Sequence, residues 1–368
     1  MLRSFLPARL PDVLLDPGSS QLRVALPGSA EVVSIPAMIA IRTRRSGRRE
    51  VVAHGEAAAA MRGRTPPTLQ LRRPVRGGRV LDAEALTALL QRTLGALGLK
   101  PRFARLRASV VWPDGPHAPV SPGGSRGSGT AAASPGPALE ASFAEAGLRI
   151  CSRHDPALAA ALSCHHSAAT HLVLVCGAST VHLRLLAQGA VRACSTIELG
   201  GDVLDAAILR EVLRSHALHI TPSAAELARS RLGPPQATAE RCAPHANAVV
   251  LPLRGRCART GLPAERLVPG EDLHRAMQPT FAAMGHALRR LLESLPPTDA
   301  RQVAEQGVLL AGGLAHQAGL DAALRAQSGL LLLPTARAEV APLLGAISSF
   351  TGPTTAAPRA RYAVFAAP

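Results

Sequence analysis

Apolar positions open the chain in short runs broken by small, turn-forming residues. Val13-Leu14-Leu15 and Leu22-Arg23-Val24-Ala25-Leu26 flank Asp16-Pro17-Gly18-Ser19-Ser20, a pattern that predicts two strands joined as a hairpin. The same pattern returns at Leu172-Val173-Leu174-Val175 and Val181-His182-Leu183-Arg184-Leu185 around Gly177-Ala178-Ser179-Thr180, which points to an internal duplication. Met38 to Ile41 predicts a further strand running into Arg42–Arg49, where paired arginines flank Ser46-Gly47. An exposed hairpin tip and a polyanion patch are the two readings of that cluster. Helical spacing of apolar residues predicts helices over 82–99, 202–215, 224–232 and 271–295, the last stopped by Pro296-Pro297, and another from Leu320 onward. Strands are predicted over 108–112 and at Val308-Leu309-Leu310-Ala311, the second ending in Gly312-Gly313. The Gly-, Ser-, Pro- and Ala-rich stretch 113–137 cannot bury enough apolar surface to offset its ordering, so it is predicted as a disordered loop. The last dozen residues read as a frayed tail.

With 368 residues the chain has length for two or three domains of about 150 residues each, and its core needs no disulfide staples. Its six cysteines form no Cys-x-x-Cys pair, and several lie in apolar runs, which fits a reducing cytoplasm. Formal charge is +16, and all but Lys100 of the 41 lysines and arginines are arginine. Such charge attracts polyanions without specificity, but aromatic residues make up 2% of the chain, too few for a base-stacking platform, so no specific nucleic-acid partner is expected. No apolar stretch reaches the length of a membrane span. Cys164-His165-His166 lacks the spacing of a metal site, and no Gly-x-Ser-x-Gly elbow offers a hydrolytic nucleophile.

Three predicted strands end in small residues, at Asp16–Ser20, Gly177–Thr180 and Gly312-Gly313. Glycine and serine let a backbone approach a ligand closely, and amides in such turns form concavities for phosphate. A nucleotide held between two related halves is therefore expected. Gly200-Gly201-Asp202, ahead of a predicted helix, reads either as an anion site or as a helix cap.

These motifs resemble a known family. Leu15-Asp16-Pro17-Gly18-Ser19, Ile35–Ile41, Gly63-Arg64-Thr65-Pro66, Arg73–Gly78, Asp155–Ala161, Leu199–Asp202 with Asp205, Glu226 with Arg229, and Gly307–Gly313 are similar to the MreB-like branch of the actin and heat-shock-chaperone superfamily, in family order over nearly the whole chain. The resemblance implies an α/β, actin-like two-domain ATPase fold with a duplicated core of ribonuclease H-like halves and a nucleotide cleft between them. Its implied boundaries are 1–149 for the first half (small subdomain about 33–72), 150–310 for the second (small subdomain about 183–250), and 311–368 for a return to the first half plus a tail. The implied cofactors are ATP and Mg²⁺. Asp16, Gly18, Ser19 and Ser20 would form the first phosphate loop, with Asp16 reaching the metal through water, and Gly177, Ala178, Ser179 and Thr180 the second. Glu226, Arg229, Gly312, Gly313 and Leu314 would face the adenosine, with Gly200, Gly201 and Asp202 close to the nucleotide. Asp155 stands where the family keeps the glutamate that positions the attacking water.

Four departures weaken that site. Val175 replaces an aspartate of the metal's water shell, Ala178 and Ser179 replace glycines, Asp155 is one methylene shorter than glutamate, and Leu314 replaces a glycine and narrows the adenosine pocket. Slow or absent hydrolysis is expected, since about 1 Å of displacement in a positioning group can cost roughly a hundredfold in rate. The resemblance implies a filament-forming, cell-shape protein, cytoplasmic and peripheral at the inner membrane, whose partners are further copies of itself and the membrane proteins of wall synthesis. The alternative is a nucleotide-poor paralogue that co-assembles with an active homologue. A sugar kinase or chaperone ATPase on the same fold is a third reading; a chaperone would need a long extension after the cleft. The basic, apolar leader Met1–Leu10 reads either as a short amphipathic membrane helix or as a disordered terminus.

Overall fold

The computed structural model describes residues 10–29, 31–99, 104–113, 136–164, 170–232 and 249–351. The leader up to residue 9, most of the predicted insert at 113–137, the His165-His166 pair, Cys242 and the tail from residue 352 lie outside the described residues.

The first half begins with strands β1 (Val13–Pro17), β2 (Gln21–Ala25) and β3 (Val32–Pro36). A small excursion follows: β4 (Ile39–Thr43), β5 (Arg49–His54), α1 (Gly55–Ala60), β6 (Leu69–Arg72), β7 (Val75–Arg76) and β8 (Arg79–Val80). The chain returns through α2 (Ala83–Ala96), β9 (Leu106–Val111), α3 (Gly136–Glu145), β10 (Leu148–His154) and α4 (Pro156–Ser163). The second half runs β11 (Thr170–Cys176), β12 (Val181–Ala187) and β13 (Ala190–Ile197), then α5 (Gly201–His216), β14 (Leu218–His219), α6 (Pro222–Arg231), β15 (Val250–Cys257) and β16 (Pro263–Pro269). It closes with α7 (Gly270–Glu293), α8 (Pro297–Gln306), β17 (Val308–Ala311), α9 (Leu320–Ser328), β18 (Leu332–Pro334) and α10 (Ala341–Thr351).

The predicted duplication is visible in the strand order. One sheet reads β3-β2-β1-β9-β10 and the other β13-β12-β11-β17-β18. In each, the first three strands form an antiparallel meander and the last two run parallel to the central one. The Arg42–Arg49 cluster is an exposed tip between β4 and β5, as the hairpin reading holds.

Both sheets are covered on both faces, which explains the nearly unbroken apolar runs in their central strands. On the first sheet Leu15, Leu22 and Val110 face α2 and α3, while Leu14, Ala25 and Val111 on the reverse face meet Leu343 and Ala346 of α10. On the second, Leu174, Leu183 and Leu310 pack toward α5, α7 and α9, while Val173, Val175 and Leu309 meet Ala157 and Ala160 of α4. Helices α4 and α10 therefore lie between the two sheets and pack on each other. Their contact is made by small residues, and a Cβ on Gly345 would sit 1.6 Å from the Ala159 carbonyl oxygen. Among the described residues no helix is long and apolar enough to cross a membrane.

Candidate functional site

The two predicted turns share one geometry. Gly18 N–H donates to the Gln21 carbonyl at 3.0 Å, and Gly177 N–H to that of Thr180 at 2.9 Å. The positions two residues before each glycine then correspond. In the first hairpin this is Asp16, paired in register with Arg23; in the second it is Val175, paired with His182.

The turns meet face to face. Ser19 Oγ and Ser179 Oγ are 2.7 Å apart, and Gly77 N–H, from the bend between β7 and β8, donates to both at 3.1 and 2.8 Å. Behind this contact lies a cavity of ≈ 270 Å³, near the lower end of the roughly 300–1,000 Å³ usual for small-molecule sites. Asp16, Gly18, Ser19 and Ser20 line one wall, Gly177, Ala178, Ser179 and Thr180 the opposite one, and Gly312, Gly313 and Leu314 its back. Gly201, Asp202, Glu226 and Arg229 complete it from the second half.

The local sequence explains these placements. A Cβ on Gly312 would stand 2.4 Å from the Cys176 carbonyl oxygen, so only glycine lets the strand end of β17 cross β11. The backbones of Gly200 and Ala178 approach as closely, and the first amides of α5 are committed there: Gly201 N–H donates to the Gly177 carbonyl at 3.2 Å and Asp202 N–H to that of Ala178 at 2.8 Å. The helix thus buttresses the second turn, with Gly200 as its N-cap.

Charged candidates arrive already paired. Arg62 Nη1 donates to Glu226 Oε2 at 2.7 Å and Arg73 Nη1 to Asp202 Oδ1 at 2.6 Å, so the excursion of the first half is clasped to two residues of the second that line the cavity. Arg229 is buried; its Nε donates to Asp205 Oδ1 at 2.6 Å and its Nη1 to Gln317 Oε1 at 3.0 Å. Burial pushes the Asp205 carboxyl above its ordinary range, and the Arg229 guanidinium pulls the other way. Asp16 is likewise raised by burial, opposed by Arg23, whose Nη1 lies 3.1 Å from Asp16 Oδ2.

Asp155 lies just before Pro156, which lines the cavity. Its Oδ1 accepts from Ala157 and Leu158 N–H at 2.9 and 3.2 Å as the N-cap of α4, and Oδ2 lies 3.5 Å from Arg184 Nε, with both side chains buried. Sequence reasoning missed Arg23, Arg62, His182 and Arg184 as site residues. No local signal marks Arg184 and His182: they read as the polar positions of an alternating strand, whereas β12 is buried throughout.

Magnesium wants several hard oxygen ligands. Asp16 is engaged by Arg23, Val175 offers none, and among the described residues no three His, Cys, Asp or Glu side chains converge on a point. The side chains present do not fit a protein-held divalent cation.

Two three-on-two duplicated sheets, with facing turns above a shared cleft, define an actin-like fold. Solved structures bear this out: MreB 5 of Spiroplasma citri bound to AMPPNP superposes with a TM-score of 0.76 at 21% identity, covering 92% of this chain and 95% of that one. A MamK double helical filament superposes at 0.68 and 17% identity, covering 93% and 99%. The model of the MreB/Mbl protein family matches residues 11–353, and the chain belongs to that family. It is 26% identical over 312 residues to the cell shape-determining protein Mbl of Bacillus cereus, 84% of this chain and 86% of that protein. It is 25% identical over 334 residues to the cell shape-determining protein MreB of Escherichia coli, 90% of each.

Proposed function

We propose that this chain is a self-assembling cytoskeletal protein that helps determine bacterial cell shape, and that its cleft takes an adenine nucleotide which it hydrolyses slowly or not at all. The observation that carries the reading is the meeting of the Gly18–Gln21 and Gly177–Thr180 turns above one cavity that both of them line, where a phosphate chain would lie against small residues of the two halves. Family membership and nucleotide-bound neighbours of the same fold support it. Slow turnover follows from Asp155: a carboxylate that caps a helix with one oxygen and faces Arg184 with the other is held away from the task of orienting a water. Assembly would be head-to-tail, since a heterologous contact that does not close produces an open filament.

The paralogue reading is favoured by one further observation, the substitution of Val175 at the position equivalent to Asp16. In that reading the chain co-assembles with an active homologue. Contact with the inner membrane through Met1–Leu10, and with wall-synthesis proteins there, belongs to the same proposal. Purified protein incubated with ATP or ADP, pelleted and imaged, with phosphate release followed in parallel, tests it. Filaments forming with little phosphate release are expected. Rapid turnover would remove the slow-hydrolysis part, and failure to assemble alone or with a homologue would remove the cytoskeletal part. Flotation with anionic vesicles, with and without residues 1–10, tests the membrane contact.

A further inference from the structure

We propose that Arg23 brings to a phosphate bound in this cleft the positive charge a divalent cation would otherwise supply, so that the chain binds its nucleotide without Mg²⁺. The inference rests on the nucleotide reading above and deepens it.

Arg23 projects from β2 onto the first turn. Its Nη1 lies 3.1 Å from Asp16 Oδ2 and would be 3.9 Å from a Cβ on Gly18, and the residue lines the cavity. It therefore occupies the side of the cleft where a metal's water shell would have to reach Asp16. A guanidinium presents five N–H donors in a rigid fork and matches phosphate oxygens in two-point contacts. Here the fork is partly unfilled: Nε is buried and has no hydrogen-bond partner. A phosphate oxygen entering the cavity would meet the outer N–H groups of that fork, of which Nη1 alone is bonded, to Asp16.

The other half of the duplicated site shows that the arrangement is not generic to the fold position. There the corresponding cross-strand pair is Val175 with His182, and the His182 ring nitrogens face Thr196 Oγ1 at 3.1 Å and Thr180 Oγ1 at 3.3 Å. That half has lost the carboxylate without gaining a guanidinium. With Val175 offering no oxygen and Asp16 already held by a fixed cation, a hydrated Mg²⁺ would meet like charge and too few acceptors.

The test is the affinity of the full chain for ATP and ADP by equilibrium dialysis, first with Mg²⁺ and then with excess EDTA, for the wild type and for Arg23→Gln. Wild-type affinity is expected to change less than about threefold on chelation. Arg23→Gln should lose about tenfold or more in EDTA, the loss expected of one charge-assisted hydrogen bond, and should regain part of it with Mg²⁺, because Asp16 is then free. Wild-type binding that vanishes in EDTA would overturn the inference while leaving the nucleotide reading intact. So would an Arg23→Gln protein that binds in EDTA as tightly as wild type. Absence of nucleotide binding under both conditions would overturn both. If Arg23→Gln fails to fold, Asp16→Asn with Arg23→Gln keeps an uncharged hydrogen-bonding pair; it should lose metal-free binding as well and gain nothing from Mg²⁺, and wild-type affinity in this variant would again overturn the inference.

Discussion

Replacing Arg229 by methionine isolates the buried ion pair under the back of the cleft. The arginine and Asp205 side chains are 11% and 6% exposed, and Arg229 Nη1 also satisfies Gln317 Oε1 at 3.0 Å. Arg229→Met leaves a largely buried carboxylate and an amide oxygen without their partner. Removing one partner of such a pair typically costs about 3–5 kcal/mol. With about 2–4 °C of melting temperature per kcal/mol for domains of this size, the expected drop is roughly 6–20 °C. Asp205→Leu with Arg229→Met should recover most of it, because neither charge is then stranded. The pH dependence has a definite sign. Burial holds the Asp205 carboxyl raised in the folded state, so the folded form binds the proton more tightly than the unfolded one. Arg229 opposes that rise, so its removal lifts the Asp205 carboxyl further in the variant than in the wild type, and the deficit of Arg229→Met should shrink as pH falls through that raised range. Thermal unfolding followed by circular dichroism between neutral and mildly acid pH reads all three quantities, and high salt should leave them nearly unchanged because the pair is buried. A single variant within about 1 kcal/mol of wild type, or a double variant as unstable as the sum of the singles, would refute the reasoning.

Gly345→Ala should prevent recovery of folded protein, at a cost above about 4 kcal/mol, because the new Cβ would lie 1.6 Å from the Ala159 carbonyl oxygen; soluble yield and a melting curve check it. Ser179→Ala should cost about 0.5–1.5 kcal/mol in denaturant unfolding, since it removes the 2.7 Å contact to Ser19 and one of the two acceptors of Gly77 N–H. His54 and His274 are held below the ordinary histidine range, by burial in both cases and by Arg92 as well at His54. Their folded forms favour the neutral ring, so stability is full above about pH 6.5 and falls as pH drops through the depressed values. Replacing both by glutamine should flatten that slope, as read by melting temperature against pH.

The hairpins at β1-β2 and β11-β12 were legible because alternation and small-residue turns are local signals, and so was the helix after Gly200. The resemblance carried the actin-like plan further than periodicity could. What stayed hidden was non-local. Arg184 reads as the polar position of an amphipathic strand, yet the second sheet is covered on both faces and the residue is buried against Asp155. Asp155 draws attention as a carboxylate before a helix, but its ion pair crosses from the end of the first half into the second sheet and has no sequence signature. Arg23 reads in the sequence as one polar position of a short strand; its significance appears only when the register sets it opposite Asp16. Helix α10, rich in small residues, carries no periodic mark of the two partners it touches.

That helix has a consequence for synthesis. Leu14, Ala25 and Val111 are made early, yet the α10 side chains that shield them, Leu343 and Ala346, are translated near the end of the described chain. The N-terminal sheet must wait on the ribosome with one oily surface bare, which makes this the interval in which the nascent protein is most exposed to aggregation and most in need of a chaperone's shelter.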